Sequence, residues 1–288
     1  MACRNAERGE EAANEINGES TEPKAIFLAT MDLGSLRSIR DFCTSFTRMY
    51  DRLDALVNNA GIMACPYGRT EDGFETQIGC NHLGHFLLQQ LLAPLLLKTA
   101  ETTGQPSRLV CLSSVAAAES TLSKAMPDID LDDLNWEKRE YDEGLADGSS
   151  KLANYLHALE APKRYPPEKI LCFSVHPGWV ESNLDVHAVR KMLGEGYMAN
   201  MIASFVRTLF KLKGDMIQPV DGAQTTLHCI LEDASKMENG RFYSQFGIYK
   251  NPDYADGGWP LKEPFPNPNA TPEKAKALWD LSKTLVNL

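Results

Sequence analysis

An aspartate and a lysine four residues apart form the pair in this chain that most suggests chemistry. Asp147 and Lys151 lie in the stretch Asp-Gly-Ser-Ser-Lys-Leu-Ala-Asn, and residues four apart share one face of a helix. Tyr155 follows one turn further along that face. An Asp-Lys pair at this spacing is most often an ion pair on a solvated helix. The other motifs of the chain therefore decide whether the pair is structural or catalytic.

The composition limits the classes of protein to which the chain can belong. A chain of 288 residues with 43% hydrophobic content can bury one large core, which favours a single α/β domain. The balance of 29 Lys and Arg against 39 Asp and Glu gives a net charge of −10, which argues against binding nucleic acid through phosphate neutralisation. No long apolar run or signal-peptide core occurs, so we expect a cytoplasmic protein or one peripheral on an intracellular membrane.

The cysteines and histidines do not show the spacing of a metal site. The seven cysteines are odd in number and include no Cys-x-x-Cys pair, which favours reduced core thiols over disulfides or zinc ligands. His82, His85 and His176 lack Cys or carboxylate partners at metal-ligand spacing. We therefore predict satisfied polar histidines and no metal site.

Helical patterns alternate with short apolar runs along the chain, which predicts βαβ units around a mostly parallel sheet. The predicted strands are residues 25–33, 53–58, 108–114, 170–175 and 240–244. The predicted helices are residues 5–17, 35–50, 79–97, 148–163 and a final helix through Trp279 and Leu281. Pro94 is expected where the third helix kinks or stops.

Short motifs lie at the ends of these elements: Asp32-Leu33, Asn58-Asn59-Ala60-Gly61, Asn81-x-x-Gly84-x-Phe86, Ser113-Ser114, Ser150-Lys151-Leu152-Ala153-Asn154, and Pro177-Gly178 with Ser182. Together they resemble the motifs of the short-chain dehydrogenase/reductase family, in its retinol dehydrogenase-like branch. Each motif alone is a weak signal. Their shared order over nearly the whole chain is specific.

The resemblance implies a role for each catalytic position. Asn81 would hold a water of the proton relay, Ser114 would orient the substrate oxygen, and Lys151 would bind the nicotinamide ribose. Asp147 occupies the position of the family's catalytic tyrosine. The implied cofactor-binding residues are Arg4, Asp32, Leu33, Asn59, Ala60, Gly61, Lys151, Pro177, Gly178, Val180 and Ser182.

The resemblance also implies the cofactor. Arg4 falls where an arginine would pair with the 2′-phosphate of NADP(H), although without the resemblance Arg4 would be interpreted as a plain surface cation. NAD(H) stays an alternative cofactor. The Thr-Gly-x-x-x-Gly-x-Gly turn that cradles the pyrophosphate in the family does not occur in this sequence.

The implied fold is one Rossmann-like, doubly wound α/β domain over residues 1–288, lacking the first one to two strands and the Gly-rich turn. In the strand order 3-2-1-4-5-6-7, this loss falls in the middle of the sheet. The strand within residues 25–31 should then be unpaired, or pair directly with residues 53–58. Residues 185–218 fall at the family's substrate lid, and their Met and Phe content favours a lipophilic substrate.

Asp147 raises the question of how a proton would move. An aspartate has an ordinary pKa near 4, and its pairing with Lys151 is expected to lower the pKa further, although desolvation acts in the opposite direction. We expect no useful acid for carbonyl reduction from this residue. Tyr155 is interpreted as a core residue. A Ser114-Lys151 hydrolase is disfavoured because no Gly-x-Ser-x-Gly motif surrounds Ser114.

Three functional hypotheses follow from these residues. The first is NADP(H)-dependent interconversion of a small lipophilic alcohol and its carbonyl. The second is a non-catalytic protein that binds NADP(H) or another ligand. The third is a membrane-surface or scaffold protein that uses the basic amphipathic residues 189–217. A homodimer through helices 79–97 and 148–163 is compatible with all three.

Overall fold

The computed structural model describes residues 1–18, 25–119, 125–181, 208, 216–245 and 260–288. The strands are β1 Ala2–Cys3, β2 Ala29–Thr30, β3 Ala55–Asn58, β4 Ser107–Leu112, β5 Ile170–His176, β6 Trp179–Val180, β7 Met216–Ile217 and β8 Phe242–Ser244. The α-helices are α1 Ala6–Asn17, α2 Leu36–Met49, α3 Thr76–Ile78, α4 Gly84–Thr103, α5 Glu143–Arg164, α6 Pro219–Gly222, α7 Gln224–Leu231 and α8 Pro272–Leu285.

A parallel sheet in the order β3-β4-β5-β8 lies at the centre of the fold, with helices packed against it. The residues of β5 are all buried, as expected of a central parallel strand covered on both faces. This architecture confirms the predicted Rossmann-like α/β class.

The pairing predicted for residues 25–31 is wrong. β2 neither lies unpaired nor joins β3, because it pairs in parallel with β1 in a separate two-stranded sheet. The amide of Met31 extends this pairing by donating to the carbonyl of Cys3. Within the described strands, β3 is hydrogen-bonded to β4 alone, so the two sheets are not continuous.

The long helix that carries Asn81 begins earlier and ends later than predicted. It runs without interruption through α3, a π-helical segment Gly79–Leu83 and α4. Glu75 caps its start, and its carboxylate accepts the amides of Gln77 and Ile78, each at 2.8 Å. The helix does not stop at Pro94 but continues to Thr103.

Helix α5 also begins before its predicted start. The Asp142 carboxylate accepts the Leu145 amide at 2.8 Å and caps the helix. Lys151 therefore lies two turns inside α5, and almost every residue from Gly144 to Ala161 is buried. Gly148 is required here, since a Cβ at this position would lie 2.8 Å from the carbonyl oxygen of Ala116.

The C-terminal helix α8 packs across both α4 and α5. Trp279 stacks on His157 with ring centroids 4.7 Å apart, and the Ser282 hydroxyl is 2.9 Å from His82 Nε2. α8 thus covers part of the surface of helices 79–97 and 148–163, which we predicted as the dimer interface. Dimerisation stays a prediction.

The predicted lid over residues 185–218 lies outside the described residues, apart from Thr208 and residues 216–218. The amphipathic residues 189–217, which we predicted for membrane-surface contact, also lie outside the described residues apart from Thr208 and residues 216–217. Among the residues that are described, no helix is long and apolar enough to cross a membrane.

Candidate active site

Gly61, Asn81 and Lys151 meet at the carboxyl end of β3. A Cβ placed on Gly61 would lie 3.2 Å from both Asn81 Oδ1 and Lys151 Nζ. These side chains come from different elements, since Asn81 lies in the π-helical segment and Lys151 in α5. The glycine therefore leaves room for the amide and the ammonium group to approach the same point.

Asn81 is fixed by a hydrogen-bond network. Its Oδ1 accepts the Ile62 amide, and its Nδ2 donates to both the Ile62 carbonyl and the Ser150 hydroxyl, all at 2.9 Å. Ser150 in turn donates to the carbonyl of Asp147 at 2.8 Å. Because π-helical turns inside α-helices are frequent at functional sites, the local geometry agrees with a positioned polar group.

The segment that carries Ser114 is hydrogen-bonded to α5. The neighbouring Ser113 hydroxyl donates to the Lys151 carbonyl at 2.7 Å, and Asn154 Nδ2 donates to the Leu112 carbonyl at 2.8 Å. Ser114 itself is half-buried, and its hydroxyl accepts the Ala116 amide at 3.2 Å. The hydrogen bonds on either side of it place Ser114 beside the turn of α5 that contains Lys151.

The expected low pKa of Asp147 is wrong. The residue is only 3% exposed, and burial raises its pKa to about 6, because desolvation outweighs the attraction of Lys151 and the buried Glu75 acts in the same raising direction. Sequence spacing placed Asp147 beside a cation but did not reveal how completely the surrounding elements exclude water.

Asp147 and Lys151 lie one turn apart without forming an ion pair, although their charges interact. Asp147 Oδ1 is buried and has no hydrogen-bond partner in the described structure. Burial lowers the pKa of Lys151 below its ordinary value, an effect that Asp147 opposes. The carboxyl group can therefore hold a proton near neutral pH, which an exposed aspartate could not do.

The predicted cofactor-binding residues fall into two groups, of which the first lies at the carboxyl ends of β3 and β5. Asn59 and Ala60 are exposed and Gly61 is half-buried. Gly178 has φ 93°, a conformation that favours glycine, in the turn between β5 and β6. Val180 lies in β6, which pairs with β7, while Ser182 lies outside the described residues.

The second group lies beside the β1-β2 sheet. The Asp32 carboxylate accepts the Gly34 amide at 2.9 Å, Leu33 packs against the core under α4, and Arg4 is exposed. Arg4 and Asp32 both act electrostatically on the Cys80 thiol, which places the two groups near the same half-buried residue.

The residues around Gly61 fit the nicotinamide and ribose end of a dinucleotide. Lys151 Nζ lies beside the side-chain-free Gly61, 3.2 Å from where a Cβ of residue 61 would be. The pyrophosphate end is not matched in the same way, because the sequence has no Gly-rich turn and no described strand flanks β3 on its open side. The described residues therefore fit the nicotinamide end of the cofactor.

Tyr155 and the candidate histidines are buried residues with packing or hydrogen-bond partners. Tyr155 is 2% exposed and stacks on Phe265 with ring centroids 4.1 Å apart, as a core residue does. His82 is paired with Ser282, and His85 Nδ1 is 3.1 Å from the Asn81 carbonyl oxygen. Burial lowers the pKa of both histidines to about 4. His176 accepts the Val115 amide.

Sequence reasoning missed two features of the site. Ser150 bridges Asn81 and the Asp147 turn, and its place in the Ser-Lys-Leu-Ala-Asn motif was a signal for this. Glu75 was not singled out, although it is fully buried and acts on Asp147. No sequence pattern indicates that residues 75 and 147 come together.

Comparison with known proteins assigns the class of the fold and site. A family profile described as short chain dehydrogenase matches residues 1–126. Retinol dehydrogenase 13 of Mus musculus is 35% identical over 289 residues, covering 100% of this chain and 76% of that protein. Retinol dehydrogenase 11 of Homo sapiens is 38% identical over 245 residues, covering 85% and 68%.

A solved structure agrees with these relatives. The crystal structure of an uncharacterized protein from Mycobacterium Paratuberculosis is 31% identical, has a TM-score of 0.68, and covers 100% of this chain and 83% of that one. The chain belongs to the short-chain dehydrogenase family of oxidoreductases, in its retinol dehydrogenase-like branch. Members of this family use nicotinamide cofactors.

Proposed function

We propose that this chain interconverts a lipophilic alcohol and its carbonyl with NADP(H), and that Asp147 supplies the proton. The observation that carries the proposal is the approach of Lys151 Nζ and Asn81 Oδ1 to Gly61 at the carboxyl end of β3. Ligands of open α/β sheets bind at this end of the strands. In the proposed scheme Lys151 takes the ribose-binding position, Asn81 the relay position, and Asp147 the place of the family's tyrosine.

Each side chain has one task in this scheme. Lys151 binds the ribose hydroxyls, and the backbone at Asn59 to Gly61 supports the nicotinamide face. Ser114 donates a hydrogen bond to the substrate oxygen. When bound, the cofactor supplies or accepts the hydride. In the reducing direction the protonated carboxyl of Asp147 gives its proton to the substrate oxygen, and in the oxidising direction the carboxylate takes it back.

The raised pKa of Asp147 is what makes this role chemically reasonable. A general acid works best when its pKa lies near the working pH, and burial brings this carboxyl to about 6. Reduction should therefore be fastest below about pH 6, where the carboxyl is protonated, and oxidation above it. A tyrosine acid would show no such rise on acidification in this range.

Two further parts of the proposal rest on relatives and composition. The relatives named retinol dehydrogenases, together with the Met- and Phe-rich residues 185–218, favour a lipophilic substrate. Arg4, exposed near Asp32, favours NADP(H) over NAD(H). Arg4→Ala should weaken NADPH binding about tenfold and leave NADH binding nearly unchanged, because only NADPH carries the 2′-phosphate.

The experiment is carried out on the full chain in two steps. NADPH is first titrated against tryptophan fluorescence in wild type and Lys151→Ala, where we expect affinity to fall about tenfold with the loss of the ribose contact. Retinal reduction is then followed between about pH 5 and pH 8 in wild type, Asp147→Asn and Asp147→Tyr. We expect turnover to rise toward acid pH in wild type and to disappear in Asp147→Asn.

The second candidate function is cofactor binding without turnover. Two observations favour it. Asp147 Oδ1 is buried without a hydrogen-bond partner, and the side chain of aspartate is shorter than that of tyrosine and extends less far toward a bound substrate. NADPH binding that depends on Lys151, with no retinal reduction at any pH, would select this function. Equal NADPH affinity in wild type and Lys151→Ala would contradict both candidates.

A further inference from the structure

A cluster of two thiols and an imidazole lies in the core behind the candidate active site. Cys111 on β4, Cys172 on β5 and His157 on α5 bring one ligand atom each to within 4.8 Å of one another. All three residues are at least nine-tenths buried, with exposures of 3%, 1% and 5%. Within the described part of the chain, no other group of three or more such ligands meets this distance.

The fold brings the three ligands together for simple geometric reasons. β4 and β5 are parallel neighbours, and Cys172 pairs with Leu109 while Cys111 pairs with Ser174. The two cysteines are thus two positions apart in register, and both side chains point to the same face of the sheet. That face is covered by α5, which places His157 above the thiols.

A second observation, independent of the cluster, points to a missing partner. His157 Nε2 is buried and has no hydrogen-bond partner in the described structure. The residue also lines a small cavity that Asn58, Gln89 and Cys111 help to form. Asn58 Oδ1 and Gln89 Oε1 are likewise buried without partners. Three orphaned polar atoms around one cavity are costly to keep unless something binds there.

We propose that Cys111, Cys172 and His157 bind a divalent thiophilic cation of the zinc class, with a water molecule in the adjoining cavity as the fourth ligand. Tetrahedral ligands at zinc distances of about 2.0–2.3 Å are about 3.3–3.8 Å apart, within the observed spacing. The water could donate its two protons to Asn58 Oδ1 and Gln89 Oε1, which would satisfy both acceptors.

Charge balance favours a divalent over a monovalent cation. Binding breaks two S–H bonds and releases both protons to solvent, and the two thiolates then neutralise the dipositive ion with no change of oxidation state. A neutral site costs least in an interior that excludes water. A monovalent ion with the same ligands would leave an uncompensated negative charge.

A disulfide between the two cysteines is the less suitable alternative. In a parallel pair, strands about 4.8 Å apart and an offset of two residues at about 3.3 Å each put the Cα atoms about 8 Å apart, whereas a disulfide requires them to be at most about 6.8 Å apart. A metal ion bridges this larger separation. The bound ion would cross-link β4, β5 and α5 in the core behind Ser114 and Lys151, and its role would be to stabilise the fold.

The test uses the full chain with reduced thiols, treated with a chelator and then equilibrated with Zn²⁺ or Co²⁺. We expect one tightly held equivalent of zinc after gel filtration, and a thiolate-to-cobalt charge-transfer band with tetrahedral ligand-field absorption. Cys111→Ser and Cys172→Ser should each weaken zinc binding at least about tenfold. Cys43→Ser is the matched control, because Cys43 is a buried thiol of the same core outside the cluster.

Several results would overturn the proposal. A wild-type chain that shows no thiolate-to-cobalt band has no such site, and this measurement does not depend on whether any variant folds. Zinc binding lost equally in Cys43→Ser and Cys172→Ser would show that the cation is held elsewhere. Circular dichroism of each variant establishes that the fold is retained. None of these measurements requires enzymatic activity.

Discussion

The carboxyl of Asp147 makes the stability of the fold depend on pH. Its pKa is raised by burial from an ordinary 3.8 to about 6, so the folded chain holds this proton more tightly than the unfolded chain does. The bound proton stabilises the fold fully at pH values below 3.8, the pKa of this carboxyl in the unfolded chain. The stabilisation is lost as the pH rises through about 6, its pKa in the folded chain. Above that pH, the buried charge carries a constant cost.

Asp147→Asn should therefore stabilise the protein at alkaline pH. We expect the free energy of unfolding to rise by up to about 3 kcal/mol near pH 8, since a shift of about two pKa units corresponds to about 3 kcal/mol and this net shift already includes the attraction of Lys151. Near pH 4, where wild type is protonated, the gain should nearly vanish. Urea unfolding at both pH values measures the difference.

Asp133 provides the matched control for this prediction. It is 4% exposed, but its carboxylate accepts the Glu137 amide at 2.6 Å and lies 3.5 Å from Arg139 Nε. Asp133→Asn should lower the free energy of unfolding near pH 8, because it weakens charge-assisted bonds. If both variants were destabilised alike, the orphaned carboxyl of Asp147 would not carry the proposed cost.

Gly61→Ala tests the close approach of the three site residues. The new methyl would lie 3.2 Å from both Lys151 Nζ and Asn81 Oδ1, and Asn81 cannot move without losing its bonds to Ile62. Lys151 must therefore shift, and we expect NADPH affinity to fall about tenfold. Fluorescence titration measures this loss.

A double mutant separates this steric effect from general damage. In a Lys151→Ala background the methyl displaces no ammonium group, so Gly61→Ala should cause little further loss of affinity. The two substitutions would then be strongly non-additive. Additive losses would mean that Gly61 does not act through Lys151.

At the scale of elements, α8 is the part of the chain that closes the core over α4 and α5. Trp279 is 3% exposed and contacts His157, Phe86 and Tyr165 through its ring. We expect Trp279→Ala to cost about 3–5 kcal/mol of folding free energy, as large aromatic truncations in cores do. Thermal and urea unfolding followed by circular dichroism measure the loss.

Lys276→Ala on the same helix is the control for this prediction. Lys276 is exposed, and its contact is an ion pair with Asp280 one turn away. Such surface pairs contribute about 0.3–0.5 kcal/mol, so this variant should unfold almost as wild type does. A comparable loss in both variants would indicate that α8 is held by its charges and not by Trp279.

The elements also show what could be predicted from sequence. Short-range signals succeeded, as at the capped helix α2 and the apolar strand β5, because local patterns determine them. The ionisation of Asp147 depends on its burial and on Glu75, which lies far away in the sequence at the start of another helix. The thiol-imidazole cluster combines residues from β4, β5 and α5. Neither could be predicted, because the spacing of residues along the chain does not indicate which distant residues come into contact.

At the scale of the whole molecule, the described strands form separate sheets with very different extents of pairing. β4 and β5 are buried and pair along six residues, whereas β1 and β2 pair along two residues, of which Thr30 is exposed. The two parts are joined through the packing of Met31 and α2 against α4, with no strand pairing between them in the described structure.

Hydrogen exchange should resolve this division. The amides of Leu28 and Met31, which bond to Met1 and Cys3, need only local opening of a short edge pair to exchange. The amides of β4 and β5 require opening near the global free energy of unfolding. We therefore expect the first group to exchange at least about a hundredfold faster. Equal protection of the two groups would show that β1 and β2 unfold together with the central sheet.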